Sequence, residues 1–361
     1  YYTFKVNGKA DNGEEEIKEY SVHLITYDEN QTWTENQVFG DEKDVATENT
    51  EAQNMVVVKV NGDLIINEDV VVTSYGNNYG GPKGLLIYTT GKLTNNGTIS
   101  MTARGAKVTG ENVYLWKNAD GTFEYVPAVG GAGGNGKACS GSCTTGGAGN
   151  PGKNGTERQT GGGGSGAVQG YGASSGKGGT GTSYSGGTGS GGASKETSSA
   201  ASNVGGAGGK GKAYSGSYSA GGGAGNPGGK GTVSGSNGTG GLLTIYANEY
   251  ENNGKITSQG SNGGSVKGEF AASGGSSGGG SINIFSHYIS EEGTVNVTGG
   301  ISEGTNYKGG AGGQGTVTYS ELQEKPTLTD IRINGTTIQG FSENTLNYTY
   351  NMIKYDVTLD I

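Results

Sequence analysis

The chain is poor in the residues on which most site chemistry depends. Among its 361 residues are two Cys, two His and five Pro. Metal or nucleophile chemistry built on several His or Cys has almost no raw material here. No apolar run reaches the roughly 18 residues of a membrane-spanning helix. Scarce Pro and the lack of a strict Gly-X-Y repeat exclude collagen. Hydrophobic residues make up 30% and charged residues 16%, against roughly 45–50% and 25% in an ordinary soluble domain. Between Gly130 and Gly240 not one residue is Leu, Ile, Phe, Met or Trp, so that stretch cannot build an ordinary side-chain core. Asp is missing from 121–329, which excludes the Gly-rich calcium-binding nonapeptide repeat, since that repeat needs an Asp in every turn.

What is present is Gly: 78 residues, of which 43 fall among the 111 positions from Gly130 to Gly240. Gly loses the most conformational freedom on ordering, so composition alone reads as a flexible linker. Two regularities argue instead for order. Residues 130–156, GGAGGNGKACSGSCTTGGAGNPGKNGT, are matched by residues 205–232, GGAGGKGKAYSGSYSAGGGAGNPGGKGT, and a third start, GGAGGQG, stands at 309–315. Within these units Gly recurs at every third position, as at 130, 133 and 136 or at 222, 225, 228 and 231. A period of three is that of polyproline-II-type helices, which have no internal hydrogen bonds. With no Cβ on one face, neighbouring backbones can approach and pair their N–H and C=O groups, replacing a hydrophobic core.

A second repeat consists of strands. GLLIYTTGKLTNNGTISM (84–101), GLLTIYANEYENNGKITSQG (241–260) and GSINIFSHYISEEGTVNVTGG (280–300) each join an apolar run, an N-N-G or E-E-G turn and a second run of period two. Asn-Gly is expected to supply the positive φ of a tight turn. Earlier strands are expected over Met55–Val60, Leu64–Ile66 and Val70–Ser74. No rung buries its apolar face alone, so rungs stack, with Leu85, Ile87, Leu243, Ile245, Ile282 and Ile284 in the shared core. The Gly-rich units then leave after the first of these rungs and return at Leu242.

Charge is segregated. Residues 1–75 hold 16 acidic and 5 basic side chains, net −11, leaving +2 of the total −9 for the remainder, so the Gly-rich part reads as nearly neutral. An acidic head repels nucleic acid and anionic membranes. Tyr1 is not an initiator Met, so the chain reads as processed or excerpted. Abundant Asn, Lys, Tyr and Thr over a Gly/Ser surface suggest an extracellular bacterial or viral protein.

Strand pairs with NNG-type turns, alternating with GGxGG tracts over roughly residues 55–320, resemble the glycine-rich repeat regions of bacterial surface proteins and phage tail adhesins. That resemblance implies β-helical or sandwich rungs beside polyglycine-II bundles. Residues from Leu328 (LTDIRING) and Phe341 (FSENTLNY) resemble the opening of the cadherin-like β-sandwich of Gram-positive surface proteins. Its later strands are missing; either the protein continues beyond Ile361, or the sandwich is completed from elsewhere, for which strands Tyr1–Val6 and Tyr20–Tyr27 are candidates, in cis or in trans.

Candidate chemistry is sparse. Gly131–Ala138, Gly147–Asn154 and Gly206–Ala213 match GxxxxGK, but Ala or Asn follows where a phosphate loop needs Ser or Thr, and no helix is expected there. Cys139 and Cys143 lack a second ligand pair for zinc, and the equivalent positions of the second unit are Tyr214 and Tyr218. The two cysteines therefore read as space-filling or as a local disulfide. No resident metal and no cofactor is expected; Glu14–Glu16 and Asp41–Asp44 read as solvated acidic surface in preference to a loose cation site. His23 and His287 lie in alternating strands, no G-x-S-x-G elbow occurs, and the rungs carry few of the carboxylates a glycan-cleaving β-helix needs. Tyr171, Tyr184, Tyr214 and Tyr218 are the bulky groups of the Gly-rich body. They serve either as contact aromatics or as packing, packing being favoured where the two units repeat.

The expected architecture is all-β: stacked β-rungs, β-helix or sandwich-like, with polyglycine-II-like excursions and a partial Ig/cadherin-like β-sandwich. The divisions are an acidic β segment 1–54, a glycine-rich rung domain 55–320 with its Gly units at 130–240, and the partial sandwich 321–361. The expected function is that of an extracellular, non-enzymatic adhesin or surface filament subunit at the cell surface. Its partners would be copies of itself or a surface receptor, with no nucleic acid and no membrane span. Alternatives are a phage tail-tip receptor-binding adhesin and a carbohydrate-active enzyme on a β-helix.

Overall fold

A computed structural model describes residues 1–9, 15–50, 53–108, 113–117, 123–126, 129–138, 147–170, 172–194, 205–212, 219–268, 271–303 and 307–322, with three short strands beyond. The chain forms two compact units, Tyr1–Leu322 and Gln323–Ile361. The described parts are essentially all-β.

The first unit is built by one repeated excursion of the chain. A leading strand β1 (Tyr2–Lys9) pairs antiparallel with β2 (Glu15–Tyr27). From β2 the chain turns through β3 (Gln31–Trp33) and β4 (Gln37–Phe39), completing one level. The second level is β5 (Met55–Val60), β6 (Leu64–Ile66) and β7 (Val71–Ser74); the third is β8 (Gly84–Thr89), β9 (Lys92–Asn95) and β10 (Thr98–Ser100). A long excursion follows, carrying the hairpin β11 (Val113–Lys117) and β12 (Phe123–Val126) and the short parallel pair β13 (Val168–Gln169) and β14 (Ala193–Ser194). The fourth level is β15 (Leu242–Asn252) and β16 (Lys255–Thr257), the fifth β17 (Ser281–Glu291) and β18 (Thr294–Asn296), and the last β19 (Thr316–Glu321).

Equivalent strands of successive levels pair in parallel. In the larger sheet Val56 aligns with Leu85, Leu85 with Leu243, Leu243 with Ile282, and Ile282 with Val317. The smaller sheet runs β18-β16-β10-β7-β4, aligning Val72, Ile99, Ile256 and Val295. The alternation is visible in β5, where Val56, Val58 and Val60 are fully buried while Met55, Val57 and Lys59 are half-buried. Leu85, Ile87, Leu243, Ile245, Ile282 and Ile284 all lie in one core with no exposed area. Each such side chain contributes about 1.5–3 kcal/mol on burial.

One expectation holds and two change. The glycine-rich excursion leaves after the strands at 84–101 and returns at Leu242, as expected, and this exit follows the third of the levels. Residues 15–39, grouped with the acidic head, supply the first of them through β2 pairing with β5, which commits Tyr20–Tyr27 to this sheet. The NNG glycines also work differently. A Cβ on Gly254 would overlap the carbonyl oxygen of Gly97, and one on Gly97 that of Val70, while a positive φ occurs at Gly62 of the Asn61-Gly62 turn, at 149°, and at Gly293 of the E-E-G turn, at 63°. Close stacking of successive turns, rather than an αL conformation, requires Gly at 97 and 254.

The Gly-rich chain is ordered by its backbone. Segment 160–165 is surrounded by six others, through bonds of 2.7–3.1 Å such as Gly134 N to Gly163 O, Gly162 N to Lys153 O, Gly163 N to Gly179 O, Ser190 N to Gly164 O, Gly164 N to Ser276 O and Gly313 N to Gly162 O. Segments 186–192 and 275–279 bond to it and to each other in the same way, and 221–224 joins both of them through Gly189 N to Ala224 O and Ala224 N to Gly275 O. The period-three glycines face neighbouring segments: a Cβ at Gly133 would overlap the carbonyl of Gly178, at Gly152 that of Gly162, and at Gly312 that of Ser277. Two stretches outside 130–240 complete the bundle, 258–280 and 297–315, both connections between levels. Buried Thr160, Ser165, Ser190, Ser276 and Ser277 fill its interior, and their hydroxyls donate to backbone carbonyls, as Thr160 Oγ1 does to Thr182 O at 2.7 Å.

The second unit contains β20 (Arg332–Ile333), paired antiparallel with β21 (Thr336–Thr337) and β22 (Leu359–Asp360). The rest of the cadherin-like stretch lies outside the described residues.

Candidate functional site

A close cluster of titratable groups sits at the first level. His23 in β2 aligns with the buried Val56. After β4, Gly40 takes a φ of 88°, and the chain enters a short 3₁₀ turn at Glu42–Asp44. That turn carries a reciprocal cap: Lys43 N donates to Asp41 Oδ1 at 2.8 Å, and Asp41 N donates to Asp44 Oδ2 at 2.8 Å. Asp44 Oδ2 also lies 2.6 Å from His23 Nδ1, and Asn54 Nδ2 donates to Asp44 Oδ1 at 3.0 Å. Tyr1 covers the pair, its ring 4.5 Å from the imidazole and its hydroxyl donating to Asp41 Oδ1 at 3.0 Å.

Asp44 is fully buried, which corrects the reading of Asp41–Asp44 as solvated surface. A buried carboxylate must be paired and hydrogen-bonded, and here the cap, Asn54 and His23 do this. The Lys43 amide holds the Asp41 carboxyl below its usual range, and burial followed by the Asp41 hydrogen bond pushes the Tyr1 hydroxyl up. One ligand atom each of His23, Asp41 and Asp44 lies within 4.8 Å of the others. The two carboxylates already accept from the cap, from Asn54 and from Tyr1, and the arrangement reads as a clasp on the first level. Among the described residues no Ser, Thr or Cys is hydrogen-bonded to His23, as an Asp-His-nucleophile arrangement would need. The pairing escaped sequence reasoning because β2 and the D-x-x-D turn meet only through the stack.

At the other end, Ile289, Ser290, Glu291, Glu292, Tyr319 and Glu321 line an open groove of about 630 Å³. Burial and the nearby Glu292 raise the Tyr319 hydroxyl to about 12.

Of the aromatics singled out from sequence, Tyr184 is 3% exposed and packs with Ala106, Val108 and Leu242. Lys83 Nζ lies 5.7 Å from its ring centroid. This position is packing. Tyr171, Tyr214, Tyr218, Cys139 and Cys143 lie outside the described residues. His287 is exposed, its Nδ1 3.0 Å from the carbonyl of Leu322.

Comparisons of the chain with protein families, with curated proteins and with solved structures find no match.

Proposed function

We propose that the protein is an extracellular, non-enzymatic structural component of a cell or particle surface, an adhesin or a filament subunit. In this reading the stacked levels are a three-sided parallel β-helix, and the Gly-rich segments are a polyglycine-II-type bundle growing from one of its corners. The C-terminal unit is the start of an Ig- or cadherin-like sandwich. The observation that carries the reading is segment 160–165, hydrogen-bonded to six neighbours with no large side chain among its residues.

Such a body has a physical use at a surface. Among the described residues its amides are tied between segments distant in sequence, which resists local opening and cleavage there. Among the described residues of the Gly-rich segments, Val129, Val233 and Ile301 are the exposed large apolar groups, and such scattered single groups limit nonspecific adhesion. The clasp at His23 and the open groove hold no arrangement that favours catalysis over scaffold. The test is immunogold labelling of intact source cells or particles, combined with protease treatment. Surface label, with a resistant fragment spanning 129–322, supports the reading. Label confined to the cell interior, or turnover of a polysaccharide lost on a single carboxylate substitution, overturns it.

A further inference from the structure

The near-neutrality of the chain outside its acidic head conceals a basic bundle. Between Gly130 and Gly240 stand 8 basic and 2 acidic side chains, net +6, offset by acidic residues elsewhere in the stack. The bundle sorts this charge. Its interior segments 160–168, 185–194, 219–226 and 271–279 carry no charged residue. Lys153, Lys177, Lys210, Lys230, Lys267 and Lys308 each sit on a different peripheral segment, and all six are exposed. Lys210 and Lys230 lie side by side, since Gly211 N donates to Lys230 O at 2.6 Å. Among the described residues none of the six pairs with a carboxylate.

The complementary surface is on the same chain. The first two levels expose Glu29, Glu35, Glu48, Asp63, Glu68 and Asp69, within a region of net charge −11. These carboxylates are also without a basic partner among the described residues. We infer that the lysine-bearing rim of the bundle docks onto the acidic first levels of a second copy of this chain. The two surfaces are different patches, so the contact is heterologous and propagates as an open chain of subunits unless its rotation closes a ring. Opposite charge steers the encounter and fixes which ends meet. The inference rests on the filament form of the proposed function and names its interface.

The test is a charge exchange read by sedimentation velocity and electron microscopy. One variant carries Lys153→Glu, Lys177→Glu, Lys210→Glu and Lys230→Glu; the other carries Glu29→Lys, Glu35→Lys and Glu68→Lys. All seven positions are exposed, so both variants should keep the circular dichroism and melting of the parent. The parent is expected to assemble at an ionic strength of about 50 mM and to dissociate at about 500 mM, where the Debye length falls to a few ångströms. Each variant alone should weaken assembly by roughly tenfold or more, and an equimolar mixture should restore it as an alternating polymer, because each variant supplies the surface the other needs. Assembly insensitive to salt and to both variants overturns the interface and leaves the filament reading standing. A parent that stays monomeric at every concentration overturns both. A monomeric parent that binds a soluble polyanion through the same lysines assigns the rim to that partner and overturns the self-association.

Discussion

Asn95 Nδ2 donates to Asn252 Oδ1 across 2.7 Å, although 157 residues separate the two in the chain. Both are fully buried, and Asn252 Nδ2 passes the bond on to the carbonyl of Glu292 at 2.8 Å. The third, fourth and fifth levels are thus held in register at one turn by a line of side-chain amides. The same register aligns Leu93 with Tyr250 and Tyr250 with Ile289. The excursion between residues 101 and 241 leaves the stack and returns to it without disturbing this alignment.

Substituting Asn252 by Ala should therefore cost about 1–3 kcal/mol, because the Asn95 amide and the Glu292 carbonyl both lose a buried partner. Asn253, exposed on the same turn, should tolerate Ala within about 0.5 kcal/mol. Urea unfolding of the two variants measures the difference.

Gly163 and Gly147 separate the roles of glycine in the bundle. A Cβ on Gly163 would overlap the carbonyl oxygen of Thr188, whereas one on Gly147 would meet only the Lys137 side chain, at 3.7 Å. Gly163→Ala should destabilise by about 1–3 kcal/mol or more through overpacking. Gly147→Ala should leave the melting temperature nearly unchanged, as read by calorimetry.

Tyr184 should behave as core. Removing its ring leaves a cavity between Val108 and Leu242, at a cost of about 3–5 kcal/mol for Tyr184→Ala. Tyr184→Phe should keep most of that stability, read by thermal unfolding. A contact aromatic would show the opposite pattern, unaltered stability with weakened partner binding.

Alkaline pH should loosen the stack. Burial raises the Tyr246 hydroxyl to about 12, and burial followed by the nearby Glu292 raises Tyr319 to about 12. A group whose folded pKa is raised contributes stability that is complete below its unfolded value, about 10 for Tyr, and is lost as pH rises through the folded value. Stability should hold up to about pH 10 and fall between there and about 12. Unfolding followed by circular dichroism should coincide with the appearance of tyrosinate absorbance.

The parts legible in the sequence are those that repeat. Period-two runs such as MVVVKV and the NNG turns placed the strands and the six aliphatic core residues, because alternation depends only on which face meets the core. Period-three glycine pointed to backbone-to-backbone approach, and Gly133, Gly152 and Gly312 now face neighbouring carbonyls. Interior segments such as 160–166 were less legible, since there glycines at several phases are needed when neighbours lie on every side. The His23–Asp44 pair was hidden for another reason: it joins two stretches whose spacing carries no signal, and only the stacking of β2 on β5 brings them together. Charge misled in the same way, because a net value for the remainder averaged a basic bundle with acidic turns.

Native-state amide hydrogen exchange, resolved at glycines of segments 160–165, 186–192, 221–224 and 275–279, tests most directly whether backbone hydrogen bonds stand in for a hydrophobic core. These amides should be protected as strongly as those of β5, β8 and β15, exchanging only through global opening. Exchange of the glycine amides at the rate of an unstructured chain, while the strands remain protected, would contradict it.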